Sequence, residues 1–237
     1  MKKFELTSEF ITNIFGTKLF RIKALIEFGN VKAGELGGFV EKEENLNHEG
    51  NAWVYGDAEV YGDAEVYGDA RVYGDAEVYG NAWVYGDAEV YGDAWVYGDA
   101  EVCGNARVCG NARVCGNAWV YGDAEVYGDA RVYGDAWVYG DAWVCGDAWV
   151  CGNARVCGNA RVYGNDDFAT VHGFGSEHRT TTFFRLKDGN IGVRCGCFYG
   201  NLSEFSKKVV ETHGETKKAK EYLMIADLME FRFSDNS

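Results

Sequence analysis

The chain of 237 residues contains no proline. Nothing in it can serve as a proline-rich spacer, and no backbone N–H is missing from the ladders it could form. No apolar run approaches the roughly 18 residues of a membrane-spanning helix. The start, MKKFELTSEF, carries charge without an apolar core, so no secretory leader is expected. Histidine is scarce. The four stand at 48, 172, 178 and 213, and the stretch 51–165 has none. That stretch therefore lacks the commonest general base and metal ligand. It is also poor in basic residues, with 18 acidic and 6 basic side chains contributing −12 of the net −14. The flanks are nearly balanced, at 8 acidic to 7 basic over 1–50 and 11 to 10 over 166–237. An acidic body of this kind does not track a nucleic-acid backbone, which calls for a basic stripe.

What fills the middle is one six-residue unit. From Val54 to Val162 valine recurs at every sixth position, 19 times without interruption, in the pattern V-[YC]-G-[DN]-A-[WER]. Six is a multiple of the strand period of two and conflicts with the helical 3.6, so the unit predicts short strands. Ala58 and Val60 fall on one side of such a strand, Glu59 and Tyr61 on the other. Gly62-Asp63 ends it, because glycine accepts positive φ and aspartate bonds its own backbone in turns. The small pair must point inward. Identical short strands joined by tight corners cannot fold back as hairpins without flipping their faces, so they coil as a solenoid with turns paired in parallel.

This hexad, with an aliphatic residue followed four positions later by a small one, resembles the hexapeptide repeat of left-handed parallel β-helices. The wording of its units resembles phage and prophage hexapeptide-repeat proteins, as do the segments 21–56 and 180–205. The resemblance implies three hexads per triangular coil, a left-handed winding and frequent assembly as homotrimers. With 18 residues per coil the array is expected to form about six coils, roughly 30 Å long at ~4.8 Å each. The expected organisation is an N-terminal hairpin and capping coil over 1–50, the β-helix over 51–165, and a C-terminal α+β module over 166–237.

At that spacing one outward column reads Trp53, Arg71, Glu89, Arg107, Glu125, Trp143, Arg161, alternating in sign where opposite charges can pair. Six cysteines replace the tyrosine of the unit at 103, 109, 115, 145, 151 and 157. Column partners such as Cys109 and Cys145 are two coils, about 9.6 Å, apart, beyond the ~7 Å Cα limit of a disulfide. Three thiols on three faces do not converge on a metal either, so these are expected to be exposed or half-exposed surface positions. In a cytosolic chain, the expected compartment being a bacterial host cell, they stay reduced. Neither a metal nor a cofactor is expected.

The outward aromatics admit two readings. They stack as ladders, or they form an oligomer or partner surface, for which Trp119, Trp137, Trp143, Trp149, Tyr61, Tyr79 and Tyr97 are the candidates. Before the array, residues 10–25 read as a hairpin turning at Gly16-Thr17, and Leu36, Val40 and Leu46 keep parts of the hexad register. After Gly164 the register is lost. A hairpin around Asp188-Gly189 and helices near 202–213 and 216–230 make a ββαα module. Its sharpest candidate site is GFGSEHRTTT (173–182), where His178, Arg179, Thr180, Thr181 and Thr182 could offer donors to an anion.

These features predict a non-enzymatic binding or assembly protein, a rigid scaffold presenting the C-terminal module. The resemblance to phage proteins implies counter-defence, by binding a host defence protein or sequestering a small nucleotide signal. The alternative is an acyltransferase-like enzyme with a site between subunits. No histidine and no inserted loop interrupts the array to supply one.

Overall fold

A computed structural model describes residues 2–175 and 178–234. Its centre is a parallel β-solenoid with three faces, in which every strand pairs with the strand 18 residues on, as Glu89 does with Arg107 and Trp119 with Trp137. One face runs from Trp53–Val54 through Glu89–Gly92 to Arg161–Val162 as seven strands. A second begins at Leu36–Val40 and ends at Trp149–Val150, and the third runs from Glu65–Val66 to Arg155–Val156. Leu36–Val40 pairs in parallel with Glu59–Val60, and Leu46 bridges to Val66. These imperfect units complete a further turn, so the solenoid has about seven turns and not the six the perfect hexads suggest.

The alternation of the unit decides what is inside. Each alanine and valine of the repeat, from Ala52 and Val54 to Ala160 and Val162, is fully buried in one continuous core. Each corner glycine from Gly56 to Gly158 has positive φ, the conformation that lets a two-residue strand turn without strain.

The ends are closed differently. At the N-terminus, Phe4–Thr12 and Lys18–Ala24 form an antiparallel hairpin. The side chain of Asn13 accepts from the N–H groups of Phe15 and Thr17 to make its turn, and Gly16 has φ 82°. Lys18–Ala24 then pairs antiparallel with Leu36–Val40, which switches the chain into the parallel array. Gly37 and Gly38 sit where a Cβ would lie 2.5 Å from the carbonyl oxygens of Val54 and Ala58, so only glycine lets the hairpin close onto the first coil. Trp53 was expected on the outside. The hairpin covers it, and it is fully buried among Phe4, Phe28 and the first valines.

At the C-terminus a four-stranded antiparallel sheet replaces the expected two strands: Phe168–Phe174, Arg179–Arg185, Ile191–Cys195 and Phe198–Asn201. Phe168–Phe174 was not expected, and the hairpin arm read as one strand over 191–200 is two, Ile191–Cys195 and Phe198–Asn201. Helix α1 (Leu202–His213) starts at a capping box, with Asn201 accepting from the Glu204 N–H and Glu204 accepting from the Asn201 N–H. Helix α2 (Lys217–Phe233) is capped by Thr216. Both helices cover one side of the sheet through Phe183, Val193, Phe205, Tyr222 and Met229. The adjacent Phe184 points the other way and joins the solenoid core. Two neighbouring phenylalanines thus weld the module to the last coil, the consequence of a strand's period of two. The coil's edge is satisfied as well. Thr182 Oγ1 accepts from the Arg155 N–H at 2.9 Å, and Asn165 Oδ1 accepts from the Trp149 N–H at 2.9 Å. No described helix is long and apolar enough to cross a membrane.

Candidate functional site

The outer columns are ladders, and their chemistry is more specific than charge alternation. Arg71 and Arg107 do pair with Glu89 and Glu125 one coil on. Elsewhere arginine sits over the tryptophan ring. Arg113 covers Trp95, Arg131 covers Trp149, Arg155 covers Trp137 and Arg161 covers Trp143, with guanidinium carbons 4.0 to 4.7 Å from the ring centroids. Tyrosines stack coil on coil, as Tyr61, Tyr79 and Tyr97 do at 4.9 Å with rings within 3° of parallel. At the corners, Asn81, Asn105, Asn111 and Asn117 each donate to the aspartate one coil below at 2.8 to 2.9 Å. Asparagine therefore bonds the carboxylate columns from coil to coil.

These ladders determine what the seven aromatic contact candidates present. Tyr61 is buried at 6% exposure beneath Leu19 and Phe39 of the hairpin and leading strand. Trp119 and Trp137 stack at 5.1 Å, and Arg155 closes the outer face of Trp137. Trp143 lies under Arg161, and Tyr79 and Tyr97 are ring-stacked. Trp149 alone of the seven is clearly exposed, at 45%.

The cysteines continue the tyrosine columns, each one coil after a tyrosine. A hydrogen bond to Cys109, then burial, raises the Tyr91 phenol, and burial, then a hydrogen bond to Cys157, raises that of Tyr139. Their placement corrects the sequence expectation in part. Cys103, Cys109, Cys115 and Cys151 are half-buried, whereas Cys145 and Cys157 are buried. Cys157 is covered because the terminal module docks over it. Burial holds its thiol above the ordinary range, against the opposing pull of Tyr139, Arg194 and Arg155.

The module's junction with the last coil forms a groove of about 430 Å³ lined by Asn153, Arg155, His172, His178, Arg179, Thr180, Arg194 and Gly196. The structure divides the predicted cluster. His178, Arg179 and Thr180 line the groove, and Thr180 Oγ1 lies 3.1 Å from His172 Nδ1. Thr181 and Thr182 do not. Thr181 is buried on the helix side and donates to Cys195 Sγ, and Thr182 is spent on the Arg155 N–H. Ser176 and Glu177 of the predicted stretch lie outside the described residues. His178 is held at φ 49°, with Nδ1 3.0 Å from the Gly173 carbonyl oxygen.

Arg155 and Arg194 were not singled out from the sequence. Arg194 was within reach: a hairpin centred on Asp188 puts it opposite Thr182, as observed. Arg155 gave no such signal, since it is one arginine among several in the repeat. Among the described residues none of Arg155, Arg179 and Arg194 belongs to an ion pair, and Arg194 Nε is buried without a partner.

Beside the groove lies a second cavity of about 310 Å³, lined by Phe198, Phe205, Val209 and Tyr222, with Lys208, Thr212 and His213 near its mouth. Arg179 and Gly196 line both. This cavity had no counterpart in the sequence reading, because it is made where α1, α2 and the sheet converge.

A family model described as YdcK Beta solenoid repeat matches residues 70–86, 106–122, 124–140 and 154–165. All four segments lie within the array, and the groove-forming module lies beyond them. No curated protein matches the chain.

Proposed function

We propose that this β-solenoid repeat protein is a non-catalytic binding scaffold that captures a small anionic ligand where its last coil meets the C-terminal module. The supporting observation is the groove itself. In a chain of net charge −14, three arginines outside any described ion pair and two histidines line a single concave surface. Planar guanidinium groups match phosphate and carboxylate oxygens, and one Arg194 N–H is left without a protein acceptor. The solenoid supplies rigidity: its core is continuous, its corners repeat, and Phe184 fixes the module to it.

A phage or prophage origin, with counter-defence through capture of a small nucleotide signal or a host protein, is the biological setting we propose from the repeat's wording. Self-association, as a homotrimer, is part of the same proposal. Trp149 and Trp83 are exposed on two different faces of the solenoid, and each is an outward aromatic that supports it. The absence of histidine from residues 51–165 supports a binding role over catalysis along the array.

Titration calorimetry with inorganic phosphate and pyrophosphate tests the capture reading. Binding is expected, with loss of about tenfold or more in Arg194→Ala, as for a charged hydrogen bond worth roughly 1.5–3 kcal/mol. No heat with either anion, at low ionic strength, would overturn it.

A further inference from the structure

We propose that the ligand is a phosphorylated ring compound, of the nucleoside monophosphate class, which lays its phosphate in the basic groove and its ring in the adjoining apolar cavity. The inference rests on the anion-capture reading above and adds the second half of the site. Its basis is the way the two cavities meet. Both are lined by Arg179 and Gly196. Gly196 has φ 57°, and a Cβ built there would lie 2.8 Å from Arg179 Nη1. The guanidinium therefore crosses bare backbone at the boundary, and residue 196 raises no side-chain wall between the two spaces.

The chemistry of the halves is opposite. The groove offers Arg155, Arg194 and Thr180. The cavity offers aromatic walls whose rings brace one another edge to face, Phe205 against Tyr222 at 5.6 Å and 90°. His213 lies nearly parallel to the Tyr222 ring at 6.0 Å, so the walls near the mouth are planar groups. Volumes of about 310 and 430 Å³ together match the roughly 300–1,000 Å³ of small-ligand sites. A purely anionic ligand leaves the apolar half wet, and a purely apolar one leaves three arginines unanswered. A ring carrying a phosphate answers both, with Arg179 at the joint.

The test is titration calorimetry of the full chain with inorganic phosphate, adenosine and adenosine monophosphate. The wild-type protein is expected to bind the monophosphate about 5- to 150-fold more tightly than phosphate, the range a stacked base contributes. Adenosine alone should bind weakly or not at all. Thr212→Trp, at an exposed position on α1 beside the cavity mouth, should reduce the monophosphate to the affinity of phosphate and leave phosphate unchanged. Equal affinities for phosphate and monophosphate would overturn the two-part site while the anion-capture reading stands. A monophosphate advantage that survives Thr212→Trp would also overturn it, by placing the ring elsewhere. No binding of phosphate or monophosphate would bring down both readings.

Discussion

The guanidinium of Arg155 lies 4.4 Å from the centroid of the Trp137 indole, and Trp137 stacks on Trp119 at 5.1 Å. The same arginine lines the groove at the end of the solenoid. An outer ladder thus runs into the candidate site, and its last ring holds one of the site's three cations.

Trp137→Leu removes an aromatic pair and a cation–π contact together. We expect a loss of about 1–3 kcal/mol in urea denaturation and weaker phosphate binding, because Arg155 loses its platform. Trp149→Leu, on another face and exposed, should leave phosphate binding unchanged. Equal effects of the two on binding would separate the ladder from the site.

Gly98→Ala places a methyl 3.0 Å from the Gly116 nitrogen, on a backbone at φ 75°. Strain and crowding both act, and a destabilisation of about 1–3 kcal/mol is expected. Gly16→Asn, at φ 82° with open space around it, should change stability by less than about 1 kcal/mol, since asparagine accepts this region. Thermal unfolding of the two variants compares them directly.

Ala112→Leu inserts three carbons into a core position with no exposure. Each hexad gives the tube one alanine and one valine, so neighbouring coils cannot part without breaking the parallel ladder. A loss of about 1–3 kcal/mol or more is expected by denaturant titration. A neutral result would mean that the interior holds unfilled space.

Alkaline pH should loosen the tyrosine ladders. Burial, then a hydrogen bond to Glu89, pushes the Tyr73 phenol up to about 12, and a hydrogen bond to Cys115, then burial, pushes Tyr97 up to about 12. The unfolded phenol ionises near 10. The unfolded state therefore loses its protons first, and the ladder's contribution is intact below pH 10 and declines from there to about 12. Tyrosinate absorbance followed against pH should show a delayed, unfolding-linked rise. An early rise with a midpoint near 10 for every tyrosine would contradict it.

Thiol reactivity should follow burial. Cys197 is exposed and should be alkylated first, whereas Cys145 and Cys157 should react only on unfolding. For Cys157 the raised thiol slows it further, since the thiolate is the reactive form. Mass spectrometry of peptides after timed iodoacetamide treatment checks the order. Labelling of Cys157 at the rate of Cys197 would place the module off the last coil.

The unit V-[YC]-G-[DN]-A-[WER] was enough to determine the interior. A period of six with Ala and Val two apart leaves one face that can be buried, and identical corners leave one pairing, 18 residues on. The first helix of the module was also legible, at 202–213 as observed, whereas the second, expected to end near 230, runs to Phe233. Of the candidate site, His178, Arg179 and Thr180 were readable as a polar cluster before a strand. Which of three consecutive threonines faces the groove was not, since that depends on which side of the strand the helices cover.

Tertiary structure decided the rest. Arg155 and Arg194 are 39 positions apart and meet only because Phe184 enters the solenoid end while Phe183 enters the module. The same docking buries Cys157, and the N-terminal hairpin buries Tyr61 and Trp53, residues whose own repeats place them outward. Local periodicity fixes direction within a strand. It cannot state what later comes to lie on top, because that is settled by the packing of segments that share no period.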